Sequence, residues 1–189
     1  MIKELYIIGA GGLGREILAT LKSAGECEKY QHIFYIDNFE GAVKSIKIIG
    51  NNEFLKNIKY PVDVIIANSN CQIRSKIISE LEGIENLNFI SFVHPKASIY
   101  DTESVKIGKG CFIAEGCVLS TEIIIADFCY LNVGVSIHHD TIIKKNCFLM
   151  AGVRITGGAT IGENTFIGNN VQISSKEIIP AYSTIKITN

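Results

Sequence analysis

The sequence predicts two domains of different fold class: an α/β, Rossmann-like domain over residues 1–94, then an all-β left-handed parallel β-helix over residues 95–189. Two observations carry this. Between residues 107 and 185 every sixth residue is isoleucine or leucine, without one insertion. A helix repeats at about 3.6 residues and a strand at about 2, so neither produces this spacing. A triangular coil does, with six residues to a flat face and three faces to a turn. Ahead of the repeat, Gly9-Ala10-Gly11-Gly12-Leu13-Gly14 stands between an apolar strand and a helical pattern, the setting of a phosphate-approaching glycine turn.

The first strand is expected at residues 3–8 and the helix at 15–23, with Ile17, Leu18 and Leu21 on one face. A second strand, 33–36, ends in Asp37, 23 residues after Gly14, near the usual place of a ribose-contacting acid. Glycines let a backbone approach a phosphate, and a helix N-terminus offers it free N–H groups. The same glycines also permit a tight turn with no ligand at all. Further strands are expected at 46–49, 64–66 and 87–92, and a helix at 71–81. That makes about one βαβαβ unit, room for one nucleotide, so a nucleotide-sugar fits better than NAD. Residues 95–104 read as an irregular connection, with His94-Pro95 its corner and His94 a structural residue.

In the coil, compact or β-branched residues stand two places before each aliphatic, from Val105 and Cys111 through to Val171 and Ser183. They suit the inner corners of a prism. Glu177 departs from the pattern, so the regular coil is expected to end near it. Cys111, Cys117, Cys129 and Cys147 fall on these inner corners and act as small hydrophobes, while Cys27 and Cys71 lie elsewhere without a C-x-x-C pair. Neither a zinc site nor a disulfide framework is expected, and a reduced, cytoplasmic protein is.

Composition narrows the function classes. Lys plus Arg number 18 against 19 for Asp plus Glu, with no basic cluster, so a nucleic-acid partner is not expected. No apolar run reaches the length of a membrane span. The opening strand leaves no room for a secretion signal.

Outward coil positions are mostly solvated charge, such as Lys106, Glu122, Lys144, Lys145 and Glu163. Ile137-His138-His139-Asp140 differs: it holds two of the four histidines, then a carboxylate. A histidine beside an acid is a general-base arrangement, the carboxylate raising imidazole basicity and fixing its tautomer. Three consecutive residues cannot converge on one ion without distortion, so no metal is expected. The residues alone leave base and solvated bystander equally open.

A short nucleotide-binding domain with Gly9-Ala10-Gly11-Gly12-Leu13-Gly14, followed by a six-residue-repeat coil, resembles the bacterial sugar O-/N-acyltransferases. That hexapeptide-repeat family includes sialic acid O-acetyltransferases and the UDP-4-amino-sugar N-acetyltransferase of bacillosamine synthesis. The likeness spans essentially the whole chain. It implies His139 as general base, Asp140 as its basicity-raising neighbour and Asn132 near the acceptor group. It also implies acetyl-CoA as co-substrate and a trimer with the active site between two coils. On this reading Gly11, Gly12, Leu13, Asp37, Asn38, Asn68 and Asn132 hold the sugar nucleotide, and Phe148, Gly157 and Asn169 lie at coenzyme A. Three departures stand out. Leu13 and Phe148 occupy positions where the family has histidine, and its Gly-x-Pro-Ala tail does not follow Ile179-Pro180-Ala181.

The expected activity is therefore acetyl transfer from acetyl-CoA to an amino or hydroxyl group of a nucleotide-linked bacterial surface-glycan sugar, by a homotrimer without a metal. Outward Ile124, Phe128, Tyr130 and Val133 should be exposed on a lone coil and covered in part by cyclic packing. The rival reading is a non-catalytic sugar-nucleotide-binding or assembly protein on the same fold. An NAD-dependent reductase rests on the glycine turn alone.

Overall fold

The computed structural model describes residues 3–187. The chain divides into two compact units, Met1–Ile90 and Ser91–Asn189.

In the first unit the elements run β1 (Glu4–Ile8), α1 (Gly12–Ser23), a short 3₁₀ turn (Glu26–Lys29), β2 (His32–Ile36), β3 (Gly41–Val43) and β4 (Ile46–Ile48). They continue with α2 (Asn52–Lys56), β5 (Val62–Ile66), α3 (Cys71–Leu81) and β6 (Leu87–Phe89). The sheet order is β3-β4-β2-β1-β5-β6, parallel except for the β3–β4 hairpin. β1 pairs with β2 on one side, Ile8 opposite Ile36, and with β5 on the other, Ile8 opposite Ile66. Strand order therefore reverses at β1, and a crevice opens beyond the carboxyl ends of these strands. Leu5 to Ile8 and the whole of β5 are buried, the continuous run expected of parallel strands covered on both faces. Ile17, Leu18 and Leu21 of α1 pack inward as their spacing predicted.

β3 and α2 were not expected. The hairpin turn uses Lys44 and Ser45 at φ 46° and 68°. Without the usual Asn-Gly or Asp-Gly, nothing in the sequence announces it. α2 has five residues, too few to show a period.

The second unit is a left-handed parallel β-helix of two-residue strands in three parallel sheets. One face stacks Phe112–Ile113, Tyr130–Leu131, Phe148–Leu149 and Phe166–Ile167, another contains Ser136–Ile137, and the third Ile142–Ile143. The inward aliphatics and the corner residues make one buried core from Val105 to Ile179.

Two expectations about its ends need correction. Residues 95–104 are not a linker, because Phe92–Val93 pairs with Phe112–Ile113, and Ser98–Ile99 pairs with Val118–Leu119. These residues are the first turn of the coil, and the strand expected at 87–92 breaks at Phe89. His94 is buried within that turn, its Nδ1 accepting from Lys96 N–H at 3.1 Å. Nor does the coil end at Glu177. Ile178–Ile179 and Thr184–Ile185 still pair with the turn below, while the Glu177 side chain points out and accepts from Ser174 N–H at 2.8 Å.

The corner cysteines do more than fill space. Sγ of Cys111, Cys129 and Cys147 donates to the carbonyls of Ala126, Lys144 and Gly162 at 3.1–3.2 Å. Thr165 continues the column by donating to Pro180 O at 3.2 Å. Each small X–H group therefore satisfies a turn carbonyl as well as packing. Among the described residues none of the six cysteines forms a disulfide.

Outside the prism Phe92, Phe112, Tyr130, Phe148 and Phe166 form a ladder, with ring centroids 4.4–6.0 Å apart. Tyr130 is accordingly buried, against expectation, and so is Phe128, whose ring lies against Gly110 beneath Lys109 and Lys145, whereas Ile124 and Val133 are each 49 % exposed.

Candidate active site

The glycine turn joins β1 to α1, and its four glycines have two different reasons. Gly9 sits at φ 111°, and a Cβ there would overlap the carbonyl of Ala67. At Gly14 a Cβ would overlap the Gly9 carbonyl. Those two are required by packing. Gly11 and Gly12 are exposed, and a Cβ on either would meet nothing closer than Arg15 Nη2 at 4.0 Å. The folded chain does not need them to be glycine, whereas a phosphate approaching the backbone does. Helix α1 begins at Gly12 with no side-chain cap and no acid in its first turn, so its leading N–H groups face outward.

Asp37, at the end of β2, clamps this turn. Its Oδ2 accepts from Ala10 N–H at 2.8 Å and its Oδ1 from Asn38 N–H at 2.7 Å. A cleft of about 400 Å³ opens here, at the strand-order reversal, and Gly9, Asp37, Asn38 and Asn68 line it. Gly11, Gly12 and Leu13 are not among its lining residues, and Leu13 is half-buried on α1. Much of the remaining wall was missed in the sequence: Asn51, the N-cap of α2, with Asn52 and Glu53 from that helix, and Ile73, Lys76, Ile77 and Glu80 from α3. The signal available was the three-and-four spacing of the α3 residues, which sets them on one helix face.

In the coil, His139 and Asp140 follow the inward Ile137. Nδ1 of His139 lies 2.7 Å from Asp140 Oδ2, and the side chains are 60 % and 66 % exposed. Asp140 takes the left-handed turn conformation, φ 58°, which Asp tolerates better than most residues. With a proton on Nδ1 donated to this carboxylate, Nε2 keeps its lone pair. The ring lies over Gly157, one turn along the coil: a Cβ there would come within 2.5 Å of Cε1 and 2.6 Å of Nε2. Gly157 O in turn accepts from Ser175 Oγ at 2.7 Å and Lys176 N–H at 3.0 Å, holding that turn in place. Two expected site residues, His139 and Gly157, are thus brought together.

Others are placed differently. His138 and Asn169 are exposed. Asn132 is buried, with Oδ1 taken by Val133 N–H at 2.6 Å, which leaves its amide NH₂ to donate. Phe148 has no exposed surface and stacks on Tyr130 at 4.4 Å, so it offers no face to coenzyme A. A bulky ring at that outward position extends the ladder instead. Among the described residues no group of His, Cys, Asp and Glu is arranged to hold a metal ion, and no helix is long and apolar enough to cross a membrane.

Comparison with known proteins places this architecture. A family profile described as the PglD N-terminal domain matches residues 4–81, and one described as bacterial transferase hexapeptide (six repeats) matches residues 140–175. No curated protein sequence matches significantly. Among solved structures, the acetyltransferase domain of PglB from Neisseria gonorrhoeae FA1090 is 25 % identical with a TM-score of 0.86, over 96 % of this chain and 87 % of that one. WeeI from Acinetobacter baumannii AYE shares the fold at 19 % identity and TM-score 0.71, over 96 % and 95 % of the chains. So does a histidine variant of perosamine N-acetyltransferase from Caulobacter crescentus, in complex with CoA and GDP-perosamine, at 21 % and 0.74 over 94 % and 91 %. The chain thus joins a PglD-type N-terminal domain to a hexapeptide-repeat coil, an arrangement similar to that of the PglB acetyltransferase domain.

Proposed function

We propose that this acyltransferase moves an acetyl group from acetyl-CoA to an amino or hydroxyl group of a nucleotide-linked bacterial sugar, with His139 as general base. The observation that carries the proposal is the exposed His139–Asp140 pair, 2.7 Å apart, with the ring over Gly157. Nε2 takes the proton from the acceptor as its nitrogen or oxygen attacks the thioester carbon. The carbonyl oxygen gains the negative charge, and the Gly157 N–H is the group assigned to stabilise it. Collapse of this intermediate breaks the C–S bond and releases the coenzyme A thiolate, which gains a proton. Asp140 holds the ring in the tautomer that leaves Nε2 unprotonated. Much of the acceleration comes from holding thioester and acceptor side by side.

The sugar nucleotide belongs in the cleft of the α/β unit against Asp37, Asn38 and Asn68, with its phosphates assigned to the Gly11–Gly12 turn outside the cleft lining. The choice of co-substrates is supported by the ligands of two similar proteins, acetyl coenzyme A in one and CoA with GDP-perosamine in the other. Asn132 and Asn169 keep their proposed places near the acceptor and coenzyme A. The working unit is a homotrimer, supported by the exposed Ile124, Ile142 and Ile178, which lie along one coil face.

His139→Ala should lower turnover at least ~10²-fold, the lower range for loss of a general base. Asp140→Asn keeps a residue that tolerates the left-handed turn while removing the charge, and should lose less. Near-normal turnover in His139→Ala would sink the assignment.

A further inference from the structure

We infer that the nucleotide held in the α/β cleft carries guanine. The inference rests on reading that cleft as the sugar-nucleotide site. Its volume, about 400 Å³, lies within the usual range for small-molecule pockets.

α3 presents Ile73, Lys76, Ile77 and Glu80 to the cleft. Ile73 is 45 % exposed there, an apolar surface that a stacked base would cover. Beyond it the wall turns polar, and most of its groups are partly committed. Glu80 Oε2 accepts from Asn52 Nδ2 at 3.1 Å and lies 3.9 Å from Lys56 Nζ, leaving Oε1 and the second lone pair of Oε2 to accept. Asn52 Oδ1 is a further acceptor. Glu53 is paired with Lys56 at 2.6 Å through one oxygen. The Asn51 oxygen is spent on Glu53 N–H at 3.0 Å. Lys76, one helical turn before Glu80, forms no ion pair among the described residues and is free to donate.

This wall offers carboxylate acceptors with one ammonium donor beside them. Guanine complements it: its edge presents the O6 acceptor, then the N1–H and N2–H donors. A carboxylate accepts both N–H groups as a fork, and the lysine serves O6. Uracil and thymine present one N–H between two carbonyls, whose lone pairs face the carboxylate. Cytosine and adenine place a ring-nitrogen lone pair beside their single amino group. Polar groups left unmatched at a buried edge are what makes such a site selective.

The test is calorimetric titration of the full chain with GDP, UDP, dTDP, CDP and ADP, without any sugar. GDP should bind at least ~10-fold more tightly than the others. Glu80→Gln keeps the shape but removes the charge. It should weaken GDP ~10-fold or more while moving the others less than ~3-fold, as expected for losing a charged hydrogen bond. Glu80 is half-exposed, so this variant should fold, as circular dichroism would verify. Tighter binding of UDP or dTDP, or an equal loss for every nucleotide in Glu80→Gln, would overturn guanine and leave the nucleotide cleft standing. Binding of none would overturn both.

Discussion

Gly157→Ala isolates the placement of the proposed base from its chemistry. The added methyl would meet His139 Cε1 at 2.5 Å, Nε2 at 2.6 Å and Nδ1 at 3.0 Å, three atoms of one ring. Restoring an ordinary contact of 3.4 Å moves the ring by about 0.9 Å. The obstacle is a largely exposed side chain and Gly157 has no left-handed φ, so the ring can yield and the backbone has no reason to. Stability should therefore change little. Turnover should not escape, because a displacement of about 1 Å at a reacting group costs ~10²-fold. The assay is steady-state release of the coenzyme A thiol, with thermal unfolding alongside. In a double-mutant cycle, Gly157→Ala added to His139→Ala should cost almost nothing further, since the group it displaces is already gone. Activity within ~3-fold of the parent, or an undiminished second loss in the His139→Ala background, would refute the reasoning.

Three further outcomes follow from the same structure. Gly14→Ala should strongly destabilise the α/β unit, because its methyl overlaps the Gly9 carbonyl, whereas Gly12→Ala should unfold at or above the parent's temperature, an exposed helical Ala gaining about 0.5–1 kcal/mol over Gly, yet bind nucleotide more weakly. Equal effects of the two on unfolding would contradict the division of roles. Burial pushes the Cys117 thiol up from its ordinary value of 9.0 to about 11 and raises that of Cys129, while a hydrogen bond with Cys129, and then burial, raises that of Cys111. The folded state then keeps protons that the unfolded chain releases, so this contribution is intact below about pH 9 and fades as pH rises toward 11. Cys117→Ala should flatten that alkaline decline in unfolding temperature, and an unchanged slope would count against it. Sedimentation at micromolar concentration should give a trimer, and a monomer would remove the proposed shared site.

The coil was legible because each six-residue unit repeats one local environment: an inward aliphatic, a compact corner and an outward remainder. Repetition makes the register of Ile107 to Ile185 unambiguous and puts the cysteines at the corners by spacing alone. Its first turn was hidden for the same reason. Val93 and Ile99 keep the six-residue step, but Ile99 to Ile107 spans eight, and two extra residues were enough to make paired strands read as a linker. His139 was legible as a histidine beside an acid, while its contact with Gly157 was not. That contact joins residues eighteen apart, and neither residue alone announces it.

By itself, then, the sequence determined whatever depends on neighbours along the chain: the six-residue period, the strand–glycine–helix turn and the His139–Asp140 pair. Tertiary structure alone decided which outward residues are covered, since the burial of Phe148 and Tyr130 depends on rings stacked from other turns of the coil. It also decided that Gly9 and Gly14 serve packing while Gly11 and Gly12 remain open to a ligand. And it decided that α2 and α3 wall a cleft with Asn52 and Glu80, which are 28 residues apart. Chain order carries local geometry, and contact between distant segments is settled only when they pack.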